Sequence, residues 1–542
     1  MNDRSETLQD LIIRAEQTFP DKKAFTCLGA SITFSELYID ARDFAHYCQS
    51  KLNLVKGDRL AIMLPNILQY PIVVFGAVLA GLTIVNINPL DKAPSIAHEL
   101  KDSGARVIVV LENFAHELSL ALSETQIEKV IVTSIGGQLP AIQGFFVDQY
   151  LRHIAHQVPD YYFPHSIGFQ EVLQLGHKSS FTAVKVLPED LAFIQYTGGT
   201  TGIAKGVMLS HSNLMSNLFQ VRSWIENDLQ EGQEVIITAL PLYHIFSLLV
   251  NCFLFVDMGG ENVLIPNPRD IADLVKVMKK SHYTCFSGVN TLFNALLHHQ
   301  PFCEMDHSRV KLTIGGGMAV QKAVADEWQK VTGHVLIQGY GLTETSPVVT
   351  ITPFDAPRFS GSIGLPILDT KITIKDPQGD DLPLNTIGEL CVQGPQVMQG
   401  YYQRPHETDA VLYEGWLHTG DAAYIDEAGF CYIVDRLKDM IIVSGFNVYP
   451  AEVENMLKII PKINEVAVIG IPDLDHGEVV KAFVVKEKNA VLTSKEVIDF
   501  AHKNLAAYKC PHEVEFVEAL PKSTVGKILK KELRAIQRNA FS

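Results

Sequence analysis

Residues 196–206 read Tyr-Thr-Gly-Gly-Thr-Thr-Gly-Ile-Ala-Lys-Gly and directly follow the predicted strand 191–195. A segment this dense in glycine and threonine cannot pack a core. It can expose successive backbone N–H groups and hydroxyls beside a lysine, which suits a polyphosphate. Taken alone, such a tract is more often a plain surface loop. It is not a Walker A loop, because no Gly-Lys-Ser/Thr follows at the required spacing.

Short β-branched and apolar runs alternate with helical stretches on both sides of this loop. They lie at residues 60–64, 84–87, 107–111, 130–133, 191–196, 235–240 and 311–314. This βαβ rhythm predicts an α/β fold with largely parallel sheets. The apolar stretch 70–87 contains Pro71, Gly76, Gly81 and Asn86. It is therefore predicted as a buried helix followed by a strand rather than as a transmembrane helix.

The pattern changes from about residue 370 to shorter strands joined by Gly- and Pro-rich turns, as at 388–394 and 429–435. This change predicts a small antiparallel, barrel-like part of a large N-terminal domain.

A compact α+β unit is predicted after residue 445. Its helices are expected at 451–460 and about 495–506, and its strands at 466–471 and 481–485. Thr493 and Glu496 have the spacing of a capping box for the second helix. We expect domains at 1–436 and 437–542, with a boundary near residues 436–438.

Length and composition exclude several classes of protein. A chain of 542 residues is too long for one hydrophobic core, because single cores stop growing at roughly 250–300 residues. A formal charge of −16 has the wrong sign for a dedicated nucleic-acid binder. The eight cysteines contain no C-x-x-C pair and are predicted as buried thiols in a reducing compartment. Since the N-terminus lacks the apolar core of a secretory signal, a cytoplasmic protein is expected.

Four further motifs follow the Gly-Thr loop along the chain. They read Gln338-Gly-Tyr-Gly-Leu-Thr-Glu-Thr345, Trp416-Leu-His-Thr-Gly-Asp421, Asp435-Arg-Leu-Lys-Asp-Met440 with Ser444-Gly445, and Pro521-Lys-Ser-Thr-Val-Gly-Lys527. Alone, most of these residues would be ordinary packing, turn or surface residues. In this order they resemble the motifs of the adenylate-forming enzymes, the superfamily of acyl-CoA synthetases, luciferases and peptide-synthetase adenylation domains.

The resemblance implies a site for ATP and Mg²⁺. The Gly-Thr loop would wrap the β- and γ-phosphates, and Thr197 and Glu344 would be the metal ligands. Mg²⁺ commonly takes few protein oxygens when phosphate oxygens are present. Tyr340 would stack on adenine opposite Gly315-Gly-Gly317, and Asp421 would accept hydrogen bonds from the ribose. The implied cofactor-binding residues are Thr197, Gly198, Gly199, Thr200, Thr201, Gly202, Lys205, Gly315, Gly316, Gln338, Gly339, Tyr340, Thr343, Asp421, Arg436, Lys438 and Gly445.

The implied reaction has two steps. A carboxylate attacks the α-phosphorus of ATP to give an acyl-adenylate and pyrophosphate, and a thiol, that of CoA, then displaces AMP. Lys527 would stabilise the charge that develops on the carboxylate and α-phosphate. Because this lysine must leave before the thiol attacks, the resemblance implies a rotation of the C-terminal domain about Lys438. The implied catalytic residues are Lys527, Glu344 and Lys438.

The segment Pro241-Leu-Tyr-His-Ile-Phe-Ser-Leu248 occupies the acyl-pocket position of this family, and apolar residues 249–256 follow it. An apolar channel would suit a fatty acyl chain, at about 0.8 kcal/mol per buried CH₂. A plain core helix is the alternative. Further stretches, such as Val443-Ser-Gly-Phe-Asn-Val-Tyr-Pro450, resemble the bacterial acyl-CoA synthetases that activate long-chain fatty acids. The expected substrates are therefore a long-chain fatty acid, ATP and CoA.

Three positions depart from the family pattern. Ala204 stands where many members have proline, a change not expected to remove phosphate contacts. Ile442 stands where some fatty-acyl ligases have lysine, and Leu248 where a gate aromatic is known, so the roles of these two positions are open.

Two other functions also stay open. A fatty-acyl-AMP ligase would pass the acyl group to a carrier protein, but its extra insertion is not visible between residues 364 and 435. A non-catalytic fatty-acid-binding protein would not need Lys527, Glu344 and the Gly-Thr loop together.

The segment 142–158 predicts an amphipathic helix. Its apolar side chains recur every four residues, at Ile142, Phe146, Tyr150, Ile154 and Val158. Tyr161-Tyr-Phe163 follows, and aromatic residues with polar tips favour a membrane–water interface. A helix packed onto its own domain is the more common alternative. We expect reversible, mainly hydrophobic attachment to the inner face of the cell membrane. Whether the chain forms a homodimer stays open.

Overall fold

The computed structural model describes residues 5–178, 182–197, 204–473, 475–523 and 526–540. Contacts divide the chain into two compact units. Unit 1 comprises Met1–Lys371 and Gln393–Gly415, and unit 2 comprises Ile372–Val392 and Trp416–Ser542. Unit 2 thus contains residues 372–392 and 416–436 together with the C-terminal part of the chain. The predicted domain boundary near residues 436–438 stays a prediction.

Helices occur throughout the described residues. They are α1 (Leu8–Thr18), α2 (Phe34–Ser50), α3 (Gln69–Leu79), α4 (Ala93–Ser103), α5 (Ala115–Ala121), α6 (Ala141–Gln149), α7 (Phe169–His177), α8 (His211–Ile225), α9 (Ile245–Ser247), α10 (Leu254–Asp257), α11 (Ile271–Ser281), α12 (Asn290–Leu297), α13 (Gln300–Cys303), α14 (Lys322–Thr332), α15 (Pro405–Asp409), α16 (Pro450–Leu457), α17 (Ser494–Asn504) and α18 (Lys530–Ala540).

Strands alternate with these helices. They are β1 (Lys23–Cys27), β2 (Ala30–Thr33), β3 (Arg59–Met63), β4 (Thr83–Asn86), β5 (Val107–Leu111), β6 (Lys129–Thr133), β7 (Ser166–Gly168), β8 (Leu191–Thr197), β9 (Lys205–Ser210), β10 (Val235–Thr238), β11 (Glu261–Leu264), β12 (Cys285–Gly288), β13 (Leu312–Gly315), β14 (Ile337–Gly341), β15 (Val348–Ile351), β16 (Leu365–Pro366), β17 (Lys371–Lys375), β18 (Gly388–Gln393), β19 (Gly400–Tyr401), β20 (Leu412–Tyr413), β21 (Trp416–Ile425), β22 (Cys431–Arg436), β23 (Ile441–Val443), β24 (Phe446–Val448), β25 (Ile463–Asp473), β26 (Gly477–Lys486) and β27 (Glu513–Phe516).

Two large sheets organise unit 1. Their strand orders are β16-β15-β14-β13-β12-β10-β11-β1-β2 and β19-β9-β8-β4-β3-β5-β6-β7. The strands from β4 through β3 and β5 to β6 pair in parallel, and the hairpin of β8 and β9 is antiparallel. Every residue of β5 and of α3 is buried. Burial on both faces explains their continuous apolar runs, and it confirms the predicted α/β fold and the buried helix and strand within 70–87.

Unit 2 contains two smaller sheets. β18 pairs antiparallel with β21, and β21 pairs antiparallel with β22, as the Gly- and Pro-rich pattern predicted. In the other sheet, the long hairpin of β25 and β26 is joined by β23, β24 and the parallel β27. Helices α16 and α17 bury Val453, Leu457, Val497 and Ala501 in its core. The predicted capping box of α17 is confirmed, because Thr493 Oγ1 accepts a hydrogen bond from Glu496 N.

The segment 142–158 is helical over a shorter range than predicted. α6 ends at Gln149, and a single π-helical turn, Tyr150–Ile154, continues it. Val158 lies beyond this turn and is half-buried. Among the described residues, no helix has the length and apolar character needed to cross a membrane.

The eight cysteines are all free thiols, and all but the half-buried Cys303 are buried. Burial raises the pKa of Cys27, Cys285, Cys391 and Cys431 to about 12. The predicted buried, unpaired thiols are therefore confirmed.

Candidate functional site

The Gly-Thr loop joins the two strands of an antiparallel hairpin. In this hairpin Tyr196 pairs with Gly206, and Thr197 pairs with Lys205. Both Thr197 and Lys205 are half-buried. The predicted phosphate-binding residues between them lie outside the described residues; they are Gly198, Gly199, Thr200, Thr201 and Gly202. The hairpin thus brings Thr197 and Lys205 opposite each other at the two ends of the loop.

Helix α4 holds both ends of this loop. Tyr196 donates its hydroxyl hydrogen to Asp102 Oδ2 over 2.7 Å, and His98 Nε2 lies 3.0 Å from Ala204 O. Residues 98 and 102 are four apart and therefore share one helix face. Burial, and then Asp102, raises the pKa of the Tyr196 hydroxyl far above its ordinary value, which keeps it protonated as a donor. His98 and Asp102 belong to none of the sequence motifs and were not predicted as site residues.

The strand pair β13 and β14 carries the second nucleotide motif. Gly315 and Gln338 are direct partners across these parallel strands. A Cβ on Gly315 would lie 2.6 Å from the side chain of Leu336, and one on Gly316 would lie 3.0 Å from the ring of Phe246. A side chain at either glycine would therefore have to displace these neighbours. Gln338 Oε1 is buried and has no hydrogen-bond partner among the described residues, so it can accept from an amino group such as that of a base.

Glu344 lies in the short 3₁₀ turn Thr343–Thr345, directly after β14. Tyr340, Thr343 and Glu344 are half-buried. Glu344 Oε1 accepts a hydrogen bond from the Tyr401 hydroxyl over 2.8 Å, and the Glu344 carbonyl accepts one from Met398 N. A carboxylate and the Thr197 hydroxyl are hard oxygen donors, so these residues fit Mg²⁺.

In unit 2, Asp421 and Arg436 lie opposite each other on β21 and β22. Arg436 Nε is 2.6 Å from Asp421 Oδ1, and Arg436 Nη1 donates to Thr419 O. The side chain of Asp421 is only 5% exposed, whereas that of Arg436 is 29% exposed. The structure thus brings together Asp421, the predicted ribose acceptor, and Arg436, another predicted cofactor-binding residue.

The part of β21 just before Asp421 is held by Glu389, which sequence reasoning did not single out. Its Oε1 accepts from Gly420 N over 2.9 Å, and its Oε2 lies 2.9 Å from His418 Nδ1. Cys391 Sγ is 3.4 Å from the same His418 nitrogen. These three side chains form the one group of three His, Cys or acidic residues in the described chain with metal-like spacing. Their mutual hydrogen bonds explain their proximity without a metal.

Lys527 lies within electrostatic range of Asp421 and Arg436. Desolvation, and then the charge of Arg436, lowers the pKa of the Lys527 ammonium, while Asp421 and Asp439 oppose this change. The loop is tied by Ser523, whose backbone N donates to Lys527 O over 2.8 Å. Within unit 2, the predicted catalytic lysine therefore lies beside the predicted ribose site.

Lys438 belongs to the 3₁₀ turn Leu437–Asp439, in the same cationic neighbourhood. Desolvation, followed by the charges of Arg436, Lys527 and Arg534, lowers its pKa to about 8 against the opposing effect of Asp439. Asp439 is itself paired with Arg534 at 2.8 Å. Gly445, by contrast, lies at the exposed tip of the β23–β24 hairpin with φ +85°, and its predicted nucleotide role stays a prediction.

The expected acyl segment is a broken helix. α9 continues into the π-helical turn Leu248–Phe253 and then into α10. Its interior is not wholly apolar, because fully buried Asn251 donates to Thr238 Oγ1 and accepts from Ser287 Oγ. Leu248, at the predicted gate position, is fully buried, whereas Phe246 is half-buried against Gly316.

Helix α6 packs against the rest of unit 1 through the side that bears its polar residues and Gly144. Asp148 accepts hydrogen bonds from Ser134 Oγ and Gly136 N, at 2.6 and 2.8 Å. The helix approaches so closely that a Cβ on Gly144 would lie 2.3 Å from Gly136 O. The large apolar side chains point outward instead; the exposed ones are Ile142, Phe145, Phe146, Tyr150, Ile154 and Tyr162.

We call these six side chains the apolar face. Ile142 is 77% exposed and Phe146 is 66% exposed, so the helix packs onto its own domain, as in the more common alternative, but not through these residues. Phe163 departs from the prediction, because it is buried in the core of the β3–β6 region. The aromatic run after the helix thus contributes one exposed ring, that of Tyr162.

Comparison with known proteins identifies two matching family models. The model described as AMP-binding enzyme matches residues 13–402, and the model described as AMP-binding enzyme C-terminal domain matches residues 452–527.

Curated relatives match the chain over nearly its full length. The long-chain-fatty-acid–CoA ligase of Yersinia pestis is 50% identical, and that of Escherichia coli O6:H1 is 48% identical. Both alignments span 532 residues and cover 98% of this chain, with 94% and 95% of the respective relatives. The corresponding ligase of Bacillus subtilis is 37% identical over the same length.

Solved structures share the whole fold. ATP-bound MatB from Rhodopseudomonas palustris superposes with a TM-score of 0.84 at 27% identity, covering 98% of this chain and all of that one. The o-succinylbenzoate CoA synthetase MenE from Bacillus subtilis, bound to its acyl-adenylate intermediate, superposes with a TM-score of 0.80 at 26% identity. That alignment covers 98% of each chain.

Proposed function

Because this chain belongs to the AMP-binding enzyme family, we propose that it is a long-chain-fatty-acid–CoA ligase that uses ATP and Mg²⁺. It converts a fatty acid, ATP and CoA to acyl-CoA, AMP and pyrophosphate through an acyl-adenylate. The observation that carries this proposal is the 48–50% sequence identity to ligases of that name over 98% of the chain. The clustering of Lys527, Asp421 and Arg436 in unit 2 supports the assignment of the nucleotide site.

In the first step, we propose that the Lys527 ammonium stabilises the charge that develops as the fatty-acid carboxylate attacks the α-phosphorus. The favourable field of a cation at this point acts on the transition state more than on the separated reactants. Asp421 accepts hydrogen bonds from the ribose hydroxyls, and Arg436 holds Asp421 by their 2.6 Å ion pair.

The phosphates are assigned to the loop between Thr197 and Lys205. Thr197 and Glu344 would hold Mg²⁺, which when bound neutralises phosphate charge. Tyr340 would stack on the base, and the buried Gln338 Oε1 is available to accept from a base amino group. For the acyl chain, half-buried Phe246 lies against Gly316, one of the glycines assigned to the base, so we place the start of the acyl channel beside it.

In the second step, CoA attacks the adenylate after Lys527 has withdrawn. We propose that the turn Leu437–Asp439 is the hinge and that Lys438 absorbs the change in backbone angles. This second half-reaction distinguishes the ligase from a fatty-acyl-AMP ligase.

Product analysis tests the proposed function. The purified chain is supplied with ATP, Mg²⁺, CoA and saturated fatty acids of six to twenty carbons. We expect acyl-CoA, AMP and pyrophosphate, with the highest kcat/KM for long chains. Accumulated adenylate without CoA ester would indicate a fatty-acyl-AMP ligase. Absence of ATP–pyrophosphate exchange would indicate a binding protein and would overturn the proposal.

We further propose that the protein is cytoplasmic and attaches reversibly to the inner face of the cell membrane through the apolar face. A surface helix normally turns its apolar side toward the core, but Asp148 and Gly144 fasten α6 by its other side. A contiguous exposed apolar surface marks an interaction site. A bilayer fits the proposed function, because the substrate itself dissolves in lipid.

Co-sedimentation with phosphatidylcholine vesicles tests this attachment. We expect Phe145→Ser/Phe146→Ser to lose most lipid binding while it melts at the wild-type temperature. The matched control, His153→Ser/Gln157→Ser, changes exposed polar side chains of the same segment and should bind like the wild type. Unchanged binding by the folded phenylalanine variant would contradict the proposal.

A further inference from the structure

Tyr401 contacts two of the predicted site residues, and they come from different motifs. Its hydroxyl donates to Glu344 Oε1 over 2.8 Å. The face of its ring lies 5.0 Å from Lys205 Nζ, within the range of a cation–π interaction. One side chain thus joins the carboxylate predicted to bind Mg²⁺ to the lysine that ends the Gly-Thr loop. All three residues belong to unit 1.

The backbone around Tyr401 is fixed to both of these partners. Tyr401 pairs with Val207 on β9, the strand that begins with Lys205. Its own N–H donates to Thr408 Oγ1 over 2.9 Å. Three residues earlier, Met398 N donates to the carbonyl of Glu344 over 2.8 Å.

The Tyr401 side chain is itself confined, since the residue is 9% exposed. Its hydroxyl therefore cannot follow a moving carboxylate, and the carboxylate must adapt to the hydroxyl. A hydrogen bond to one oxygen fixes the rotation of a carboxylate about its last bond. The other oxygen, Oε2, is then presented in a defined direction.

We propose that Tyr401 is a positioning residue that sets the orientation of Glu344 for the Mg²⁺ of bound Mg·ATP and keeps Lys205 beside it. This inference rests on the proposed function. Groups that hydrogen-bond to a metal-binding carboxylate orient it, and their loss typically weakens metal affinity by about 10–100-fold. Tyr401 acts through Glu344 and does not itself touch the metal.

Mn²⁺ binding to the enzyme–ATP complex tests the inference without relying on turnover. Free Mn²⁺ is measured by electron paramagnetic resonance as the metal is titrated into protein with ATP. Tyr401→Phe keeps the ring under Lys205 and removes only the hydroxyl. We expect it to bind Mn²⁺ about tenfold more weakly. In pyrophosphate exchange, the Mg²⁺ concentration that gives half the maximal rate should rise by the same factor.

Tyr402→Phe is the matched control, because the Tyr402 ring packs against the core of the β3–β6 region. It should bind Mn²⁺ like the wild type. If Tyr401 acts through Glu344, adding Tyr401→Phe to Glu344→Gln should weaken Mn²⁺ binding no further. This comparison also holds if Tyr401→Phe lowers the melting temperature, because both backgrounds then share that loss.

Two results would overturn the inference. One is wild-type Mn²⁺ affinity in Tyr401→Phe, and the other is an equal tenfold loss in the Glu344→Gln background. If the wild type is active in pyrophosphate exchange, either result would show that Tyr401 does not position Glu344, and the proposed function would still stand. A wild type without pyrophosphate exchange would instead overturn the proposed function.

Discussion

Desolvation, and then the charge of Arg436, lowers the pKa of the Lys527 ammonium. A cation held this way is attracted to the negative charge of ATP. We predict that Lys527→Ala abolishes ATP–pyrophosphate exchange and still converts pre-made acyl-adenylate to acyl-CoA. Assays of the two half-reactions check this. Adenylation above about a tenth of the wild-type rate, a barrier change of only ~1.4 kcal/mol, would contradict the assigned role.

The lowered pKa of Lys438 predicts that the stability of the folded protein depends on pH. Its folded-state pKa of about 8 lies below the ordinary value of 10.5. Between these values the unfolded chain binds more protons than the folded chain, so this lysine makes stability rise with pH. Below about pH 8 it is charged in both states, and the penalty for the folded state is complete.

The difference in unfolding free energy between the wild type and Lys438→Met isolates this effect. We expect wild-type stability, relative to Lys438→Met, to increase as pH rises from about 8 to about 10. Urea unfolding at several pH values measures it. A difference that stays flat over this window would show that Lys438 is not desolvated in the folded state.

Among single residues, the sequence predicted those site residues that belong to recognisable motifs. Asp421 and Arg436 meet as expected, because a strand pair brings adjacent motifs together. Tyr401 and Glu389 were missed, because their contacts are made across 57 and about 30 residues of intervening chain. No local pattern encodes such a contact. The residues of the Gly-Thr loop stay predictions.

The hinge turn Leu437–Asp439 is the element that should separate the two half-reactions. Proline fixes φ near −65°, a value compatible with a 3₁₀ turn, and blocks the change that a hinge requires. We predict that Lys438→Pro retains adenylate formation and loses transfer to CoA. Separate assays of the two steps decide this. Equal loss of both would indicate a misfolded or static segment.

The part of β21 that carries Asp421 depends on Glu389, which accepts from Gly420 N and pairs with His418. We predict that Glu389→Ala lowers the free energy of unfolding by about 1–3 kcal/mol, because it removes the acceptors of two hydrogen bonds, at about 0.5–1.5 kcal/mol each. It should also raise the KM for ATP. Urea unfolding and half-reaction kinetics measure both effects. Exposed Glu427→Ala, in the turn between β21 and β22, is the control and should change neither.

Among the elements, buried strands were the easiest to predict and broken helices the hardest. β5 consists of five buried apolar residues, so its type and bounds follow from its sequence. The two π-helical turns, Tyr150–Ile154 and Leu248–Phe253, lie within apolar patterns that read as continuous helix. Hydrophobic spacing reports which side chains share a face. It does not report a change of backbone hydrogen bonding from i−4 to i−5.

For the whole molecule, the formal charge of −16 opposes attachment to anionic lipid. If the apolar face binds mainly by hydrophobic burial, salt should weaken the repulsion without weakening the attachment. We predict that binding to vesicles containing phosphatidylserine rises as ionic strength increases from about 0.01 to 0.15 M, where the Debye length falls from about 30 to 8 Å. Binding to phosphatidylcholine should stay nearly constant. Binding that falls with salt would indicate a basic contact instead.

The buried cysteines have a consequence for the chemistry of an enzyme that makes a reactive mixed anhydride. The thiolate, not the thiol, is the nucleophile that would be acylated, and burial raises the pKa of seven of the eight thiols. These side chains are buried and stay protonated at neutral pH. Self-acylation, and mixed disulfides between the enzyme and its own thiol substrate, are therefore disfavoured at these positions. The seven buried thiols of the protein are thus kept unreactive, while the thiol of the co-substrate is the one that is acylated.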